Sequence, residues 1–433
     1  MFGPKLYATN LDYQRFSAVL LLPSASNLVI EGVFLTDENQ SITQISISQI
    51  NNLKHIGSTN KIKDDSRFKR IDIIDALKGY AIILVILGHV MAFIEPNEIK
   101  SNFLFILIYS FHMPLLLALS GYLVYGKSST PIWAFIVKKF KGLFIPYFIW
   151  ITIGLLVAGS FGTKQNAVSI IFESLYAYTN LWFLPVLFFS FILLMFYMRT
   201  VNFLSNFLKK NLSILVYLFS YLIIMWIFIA KPPVQGFLAI RWFSLFVLVG
   251  YIIAEYKEYI FNFKNQIFLI SLFSFPIFLP FWDIRVNQFA YVGITHLLIN
   301  FILALFGIIL SYYIVRLLRN TKLYDFLILC GNFSLEIYVI SNVLTLIFQL
   351  AERKFWFGDG TVMILSGTLI ILSISLICSL ILSLNKTWST FLFGRWAYEH
   401  LEGNVKNQIF LLLTTVIYIY IFSIFLNISK TFH

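Results

Sequence analysis

The chain has 433 residues, of which 59% are hydrophobic, 18% aromatic and only 12% charged, with a formal net charge of +12. A surface so poor in charge and so rich in Phe and Tyr (47 and 23 residues) expects lipid, which excludes a soluble domain. Two cysteines inside apolar runs and six histidines without HxxxH spacing give no reason to expect a protein-bound metal, and no glycine motif for phosphate or dinucleotide cofactors occurs.

Residues 1–70 come first and differ from the rest. The piece "FSAVLLLPSASNLVIEGVFL" is mildly apolar, but Pro23, Asn27 and Glu31 interrupt it, so short strands or a surface-lying segment suit it better than a span. No clear cleavage pattern marks it as a signal peptide. Lys54 to Arg70 then carries six basic residues against two acidic ones, and this places the 1–70 extension on the cytoplasmic side with its fold left open.

After residue 70 the apolar runs approach the ~20 residues that a membrane-spanning helix needs. They lie at about 74–94, 102–125, 143–161, 182–198, 212–230, 237–254, 266–282, 291–315, 326–350, 362–384 and 409–428. The expectation is an all-α, polytopic transmembrane bundle of about 10–11 spans. Residues 71–385 form its main domain, and 386–433 add a cytoplasmic loop and one further C-terminal span. Basic residues recur in alternate loops: Lys127 with Lys138, Lys139 and Lys141; Arg199 with Lys209 and Lys210; Arg316 with Arg319 and Lys322. That pattern puts the N-terminus in the cytoplasm and the C-terminus outside. It also accounts for most of the positive charge, so no nucleic-acid partner is needed. No inverted repeat is evident, which argues mildly against a secondary transporter.

The first span, "IDALKGYAIILVILGHV", holds the first chemical signal. Lys78 and His89 are eleven residues apart, about three helical turns, so they share one face with Asp75, Ile82 and Val85. Lys78 falls at the cytoplasmic boundary and His89 deep in the apolar run, where an ionisable side chain is costly and usually faces a cavity or partner. The second span, "YSFHMPLLLALSGYLVYGK", places His112 at a similar depth on the adjacent helix, and Pro114 should interrupt that helix. Ser120 and Gly121 read chiefly as packing devices. Arg241 either snorkels to the surface, binds an anionic acceptor or orients a base. Glu336 lies in an apolar run, where it pairs with Arg241 or a histidine, or is protonated. Trp182, with Asn180 and Pro185, reads as an interfacial tryptophan or a sugar-stacking platform. His296 is assigned a structural role.

The segments "IDALKGYAIILVILGH", "FHMPLLLALSGYL", "KKFKGLFIPYFIW", "NLWFLPVLFF" and "GNFSLEIYVIS", in this order and spacing, resemble the acyltransferase-3 family over about residues 70–385. The nearest branch is the one that O-acetylates bacterial surface polysaccharides or their lipid-linked precursors. The resemblance implies an enzyme of the bacterial cytoplasmic (inner) membrane with no bound cofactor. Acetyl-CoA is its cytoplasmic acyl donor, and a glycan or lipid-linked sugar is its acceptor. Lys78 and His89 match the family's pair of a basic residue and an essential His separated by ten residues. Lys78 stands where Arg is commoner, which keeps the charge and loses the bidentate fork. Ser341 and Asn342 stand where a late His often follows.

The residues themselves fit that chemistry. Acyl transfer from a thioester to a hydroxyl needs a base and a site for the oxyanion. His89 is the expected base, with His112 beside it as a second base or orienting group. Lys78, with Asp75, is the expected acyl-CoA-binding or orienting pair. Lys138, Lys139 and Lys141 attract CoA phosphates or merely set topology. Arg241, Glu336 and Trp182 remain as support for the acceptor or oxyanion. The alternatives are a non-enzymatic exporter or flippase of glycan intermediates, or the same enzyme using another acyl group such as succinyl.

Overall fold

In the computed structural model the chain divides into two units, Met1–Arg70 and Ile71–His433. The described residues are three strands between 17 and 44, and then 72–94, 101–126, 131–160, 181–208, 235–287, 293–352 and 360–394.

In the first unit, β1 (Ser17–Leu22), β2 (Val29–Thr36) and β3 (Asn39–Gln44) form an antiparallel sheet in the order β1-β2-β3. Ser17 pairs with Phe34 and Leu22 with Val29, while Glu31 pairs with Gln44 and Thr36 with Asn39. Of the two readings of the apolar piece, strands are the one that forms. Pro23, with no N–H to give a ladder, directly follows β1.

The described elements of the second unit are all helical. They are α1 (Asp72–Ile94), α2 (Phe103–Tyr109), α3 (His112–Tyr122), α4 (Ile132–Ser160), α5 (Phe183–Leu208), α6 (Gln235–Glu255) and α7 (Lys257–Asn262). They continue with α8 (Lys264–Phe278), a 3-10 turn at Leu279–Phe281, α9 (Ile284–Asn287), α10 (Ile294–Leu317), α11 (Lys322–Asn332), α12 (Ser334–Glu352), α13 (Gly360–Ser383) and α14 (Lys386–Phe393). Seven of the described segments are long and apolar enough to cross a membrane, with α2 and α3 taken together as one, and a bent pair makes an eighth. Large apolar side chains such as Phe196, Phe273, Ile277, Val362 and Leu365 face outward, as lipid contact requires. The expected spans at 212–230 and 409–428 lie outside the described residues.

The expected span at 326–350 is not one continuous helix. It breaks at Phe333 into α11 and α12, which meet at a bend of 80°. Hydropathy runs through this break unchanged. Its cause is packing: α11 lies backbone to backbone against α1. A Cβ on Gly79 would collide with the Leu327 carbonyl, and one on Gly331 with the Asp75 carbonyl. Only two glycines permit so close an approach. A similar contact joins α3 to α6, where Gly121 meets Val247 and Gly250 meets Ala118.

Helix ends follow local chemistry. Asp72 and Asp75 sit in the first turn of α1, where negative charge opposes the helix dipole. Asn102 caps α2 through Phe105 N, and Thr321 caps α11 through Tyr324 N. Asn320, at φ 71, takes the left-handed conformation just past the end of α10. Within the spans, several hydroxyls bond to the preceding turn: Ser120 donates to Leu116 O at 2.8 Å and Thr368 to Ile364 O at 2.7 Å.

Candidate active site

α1 runs unbroken for 23 residues, so the eleven residues from Lys78 to His89 span ~16 Å along its axis. At one end Lys78 Nζ donates to Asp75 Oδ1 at 3.0 Å. Asp75 is buried and Lys78 partly so, and the Gly79–Gly331 contact backs them directly.

Near the other end stand the two histidines. Pro114 lacks an N–H, so the Ser110 carbonyl four residues earlier has no helical donor. The helix stops at Tyr109 and restarts at His112, which leaves Pro114 in the first turn of α3, where an N–H would be unpaired anyway. The interruption expected from Pro114 is therefore present. His112 is 2% exposed, and its Nδ1 donates to the Ile108 carbonyl at 2.7 Å. A carbonyl only accepts, so Nδ1 carries the proton and the neutral ring keeps its lone pair on Nε2. His89 is partly buried and lies within electrostatic reach of His112.

Tyr109 was not singled out by the sequence. Its ring covers Gly88, where a Cβ would come 2.7 Å from Cε2, and stands edge-on to the His112 ring at 4.7 Å. It therefore fixes how α2 and α3 sit against the His89 turn. The available signal was its position three residues before His112.

Trp182 in the turn before α5, Arg241 in α6 and Glu336 in α12 belong to elements that meet at the start of α5. The Trp182 ring packs 4.9 Å from Phe243, two residues beyond Arg241. Its neighbour Phe183 packs 5.6 Å from Tyr338, two residues beyond Glu336. The buried Leu181 leads into this junction at φ 51, a left-handed conformation that costs a non-glycine residue about 1–2 kcal/mol. Glu336 is buried in the first turn of α12, three residues past the break. The far end of α12 reaches α1 through Phe348, 6.3 Å from Phe93. Lys139 lies over the Phe191 ring at 3.8 Å, a cation–π placement that ties it to α5 packing.

A polar network that the sequence hid joins the 3-10 turn to α10. Asn300, 2% exposed, donates to Asp283 O at 2.8 Å and accepts from Asp283 N at 3.0 Å. The Asp283 carboxylate accepts from the Arg285 guanidinium at 2.6 Å and 3.0 Å, and His296 Nδ1 lies 3.1 Å from its Oδ2. The Arg285 hydrogen bond is the main reason that the Asp283 carboxyl is held below its usual range. His296 thus has a specific partner in Asp283. Asp283 and Arg285 cancel in any charge count, so this loop carries no charge signal in the sequence.

Comparison with curated proteins and with solved structures gave no match. The family model for the acyltransferase domain of the acyltransferase-3 family matches residues 71–384, well over half of the chain, and takes in Asp75, Lys78, His89, His112 and both halves of the broken helix. With its apolar helices and that match, the chain is an integral membrane protein and belongs to the acyltransferase-3 family.

Proposed function

We propose that this membrane acyltransferase moves an acetyl group from cytoplasmic acetyl-CoA to a hydroxyl of a bacterial surface polysaccharide or its lipid-linked precursor. One observation carries the reading. A single rigid helix holds a lysine–aspartate pair at one end and, ~16 Å away, a histidine beside a second histidine of fixed tautomer. Lys78 at the cytoplasmic end attracts the CoA phosphates, and the extended acyl-pantetheine arm reaches along α1 toward the histidines. The N-terminus is then cytoplasmic, and the acceptor arrives from the opposite face of the inner membrane.

In this reading His112 Nε2 accepts the proton of the sugar hydroxyl while its oxygen attacks the thioester carbonyl. The tetrahedral oxyanion collapses, the C–S bond breaks, and the thiolate takes the proton back from the imidazolium. The products are the sugar ester and CoA. His89 supplies the second imidazole and can donate to the oxyanion. This reverses the order expected from the sequence, where His89 was the base. The Nδ1–H to Ile108 bond favours the exchange, because it presets one ring as an acceptor.

The test is mass spectrometry of the envelope glycan from wild-type and deletion cells. The expected result is the loss of one acetyl per acylated repeat in the deletion. A loss of succinyl would change the donor, and identical glycans would overturn the reading.

A further inference from the structure

Tyr147 stands in α4, directly after Pro146, and its side chain is fully buried. Its hydroxyl has no hydrogen-bond partner among the described residues. A buried phenol in that state is costly: the ring gains from burial, but the O–H has given up water and received nothing. A phenylalanine would fill the same space without that loss. Several hydroxyls in the spans avoid it by donating to carbonyls of their own helices, as Ser120, Ser190 and Thr368 do. Tyrosine has no such escape, because the rigid ring carries its oxygen away from its own helix.

The contacts of α12 locate this hydroxyl. α12 packs against both α1 and α4. It begins at Ser334, three residues after Gly331, where α11 touches α1 at Asp75 and Gly79. At its other end Phe348 meets Phe93, and also Gly367, which lies against Val90. Fourteen residues separate Ser334 from Phe348 and fourteen separate Gly79 from Phe93, so each stretch is ~21 Å long. α12 therefore runs beside α1 from the turn that holds Lys78 to just past His89. Tyr338 lies four residues into α12, ~6 Å from its start. Its ring packs 5.6 Å from Phe183, and its hydroxyl is close to the Phe183 N–H and within electrostatic reach of Tyr147. The Tyr147 hydroxyl thus stands beside the part of α1 that lies between Lys78 and His89.

We propose that the Tyr147 hydroxyl donates a hydrogen bond to an amide carbonyl of the acyl-pantetheine arm. The proposal rests on the acyl-transfer reading above and deepens it. In that reading the CoA phosphates stay at Lys78 and the thioester reaches the imidazoles, so the arm fills the interval between them. The arm carries two amides, and their carbonyls need donors once they leave water. A phenol O–H without an acceptor is the complement of a carbonyl without a donor. The bond also selects the arm over the lipid around it. An acyl chain of the bilayer offers no acceptor and would leave the hydroxyl unpaired, which a site built to hydrogen-bond its ligand penalises.

The experiment uses the full chain in lipid nanodiscs, with calorimetry for binding and a thermal ramp for stability. The probes are CoA, acetyl-CoA and adenosine 3′,5′-bisphosphate, which has the nucleotide end of CoA without the arm. Tyr147→Phe should raise the Kd for CoA and acetyl-CoA about tenfold and leave that for the bisphosphate unchanged. Without ligand the same variant should melt no lower than the wild type, because it keeps the ring and removes an unpaired O–H. Weaker binding from an equally stable protein is a result that a purely packing tyrosine does not give. An unchanged Kd for CoA, equal losses for CoA and the bisphosphate, or a lower melting temperature without ligand would overturn the proposal. Loss confined to acetyl-CoA would overturn it too, by moving the bond to the acyl carbonyl. A wild type that binds neither CoA nor acetyl-CoA would bring down the acyl-CoA reading itself, and this proposal with it.

Discussion

Gly79→Ala should destabilise the protein, although alanine is the better helix former. On propensity alone the change gains about 1 kcal/mol. Against this, the new Cβ would collide with the Leu327 carbonyl oxygen and come 2.9 Å from Gly331 N. Forcing one extra carbon into a tight contact costs about 1–3 kcal/mol where side chains can step aside. Here both obstacles are helical backbone, so the cost lies at or above the top of that range. The net loss is about 2 kcal/mol or more, a ~30-fold change in the equilibrium between packed and parted helices. Gly331→Ala should behave alike, because its Cβ meets the Asp75 carbonyl.

The chain supplies its own reporter. Cys330 is fully buried beside Gly331, and Cys378 is the only other cysteine. In a Cys378→Ser background, a thiol-reactive fluorescent maleimide labels Cys330 only when α11 leaves α1. Labelling during a thermal ramp should begin several degrees lower in Gly79→Ala than in its parent, and should be faster at constant temperature. Equal labelling onsets, or a later onset in the alanine variant, would refute the backbone-contact argument and leave helix propensity as the dominant effect.

Three further outcomes follow from the site. His112→Gln, which cannot accept a proton at Nε2, should lower kcat at least 100-fold with the acetyl-CoA KM little changed, as loss of a general base predicts; full activity would remove His112 as the base. Lys78→Arg should keep much of the activity, while Lys78→Gln should raise the acetyl-CoA KM about tenfold, worth about 1.4 kcal/mol for one partly solvated charge contact; unchanged kinetics would make the lysine topological. Because the Asp283 carboxyl is held below its usual range, its hold on Arg285 is complete above about pH 4 and is lost only as pH falls through the lowered value. With His296 replaced by Gln, a fluorine signal from labelled Trp282 should therefore stay constant from pH 8 to 5 and shift only in stronger acid, whereas adding Asp283→Asn should give the shifted signal at neutral pH; a signal that still moves between pH 7 and 5 would assign the anchoring to another group.

The helices were legible where composition alone decides them. α1, α10 and α13 are long apolar runs, and each lies where the hydropathy places it. The break at Phe333 was not legible, because "LILCGNFSLEIYVIS" is as apolar after the bend as before it. What bends the chain is a contact with a helix some 250 residues earlier, carried by Gly79 and Gly331. Both glycines sit in the very segments that carry the family resemblance, so part of what reads as a catalytic signature is a packing device. Pro114 did announce its break. The consequence, a histidine whose tautomer is fixed by a carbonyl one turn back, needs three-dimensional geometry and has no sequence signal. The meeting of the Trp182 turn with the Arg241 and Glu336 helices at α5 is likewise tertiary, and in the Asp283 loop two opposite charges erased each other.

The packing device and the chemistry are one design problem. In the proposed reading, transfer between the anchoring Lys78 and the imidazole pair that begins at His89, ~16 Å along α1, requires that length to be constant. A misplacement of about 1 Å at the reacting atoms can cost about 100-fold in rate. α1 alone does not secure this, since a lone apolar helix in lipid can tilt and slide against its neighbours. The Gly79–Gly331 contact removes that freedom at the residue next to Lys78. Tyr109 over Gly88 removes it at the residue before His89. Each end of the functional stretch is thus pinned immediately beside its polar residue, one by backbone and the other by an aromatic ring that also touches His112. A change at either glycine should therefore reach the chemistry through distance, with kcat falling further than the stability loss alone explains.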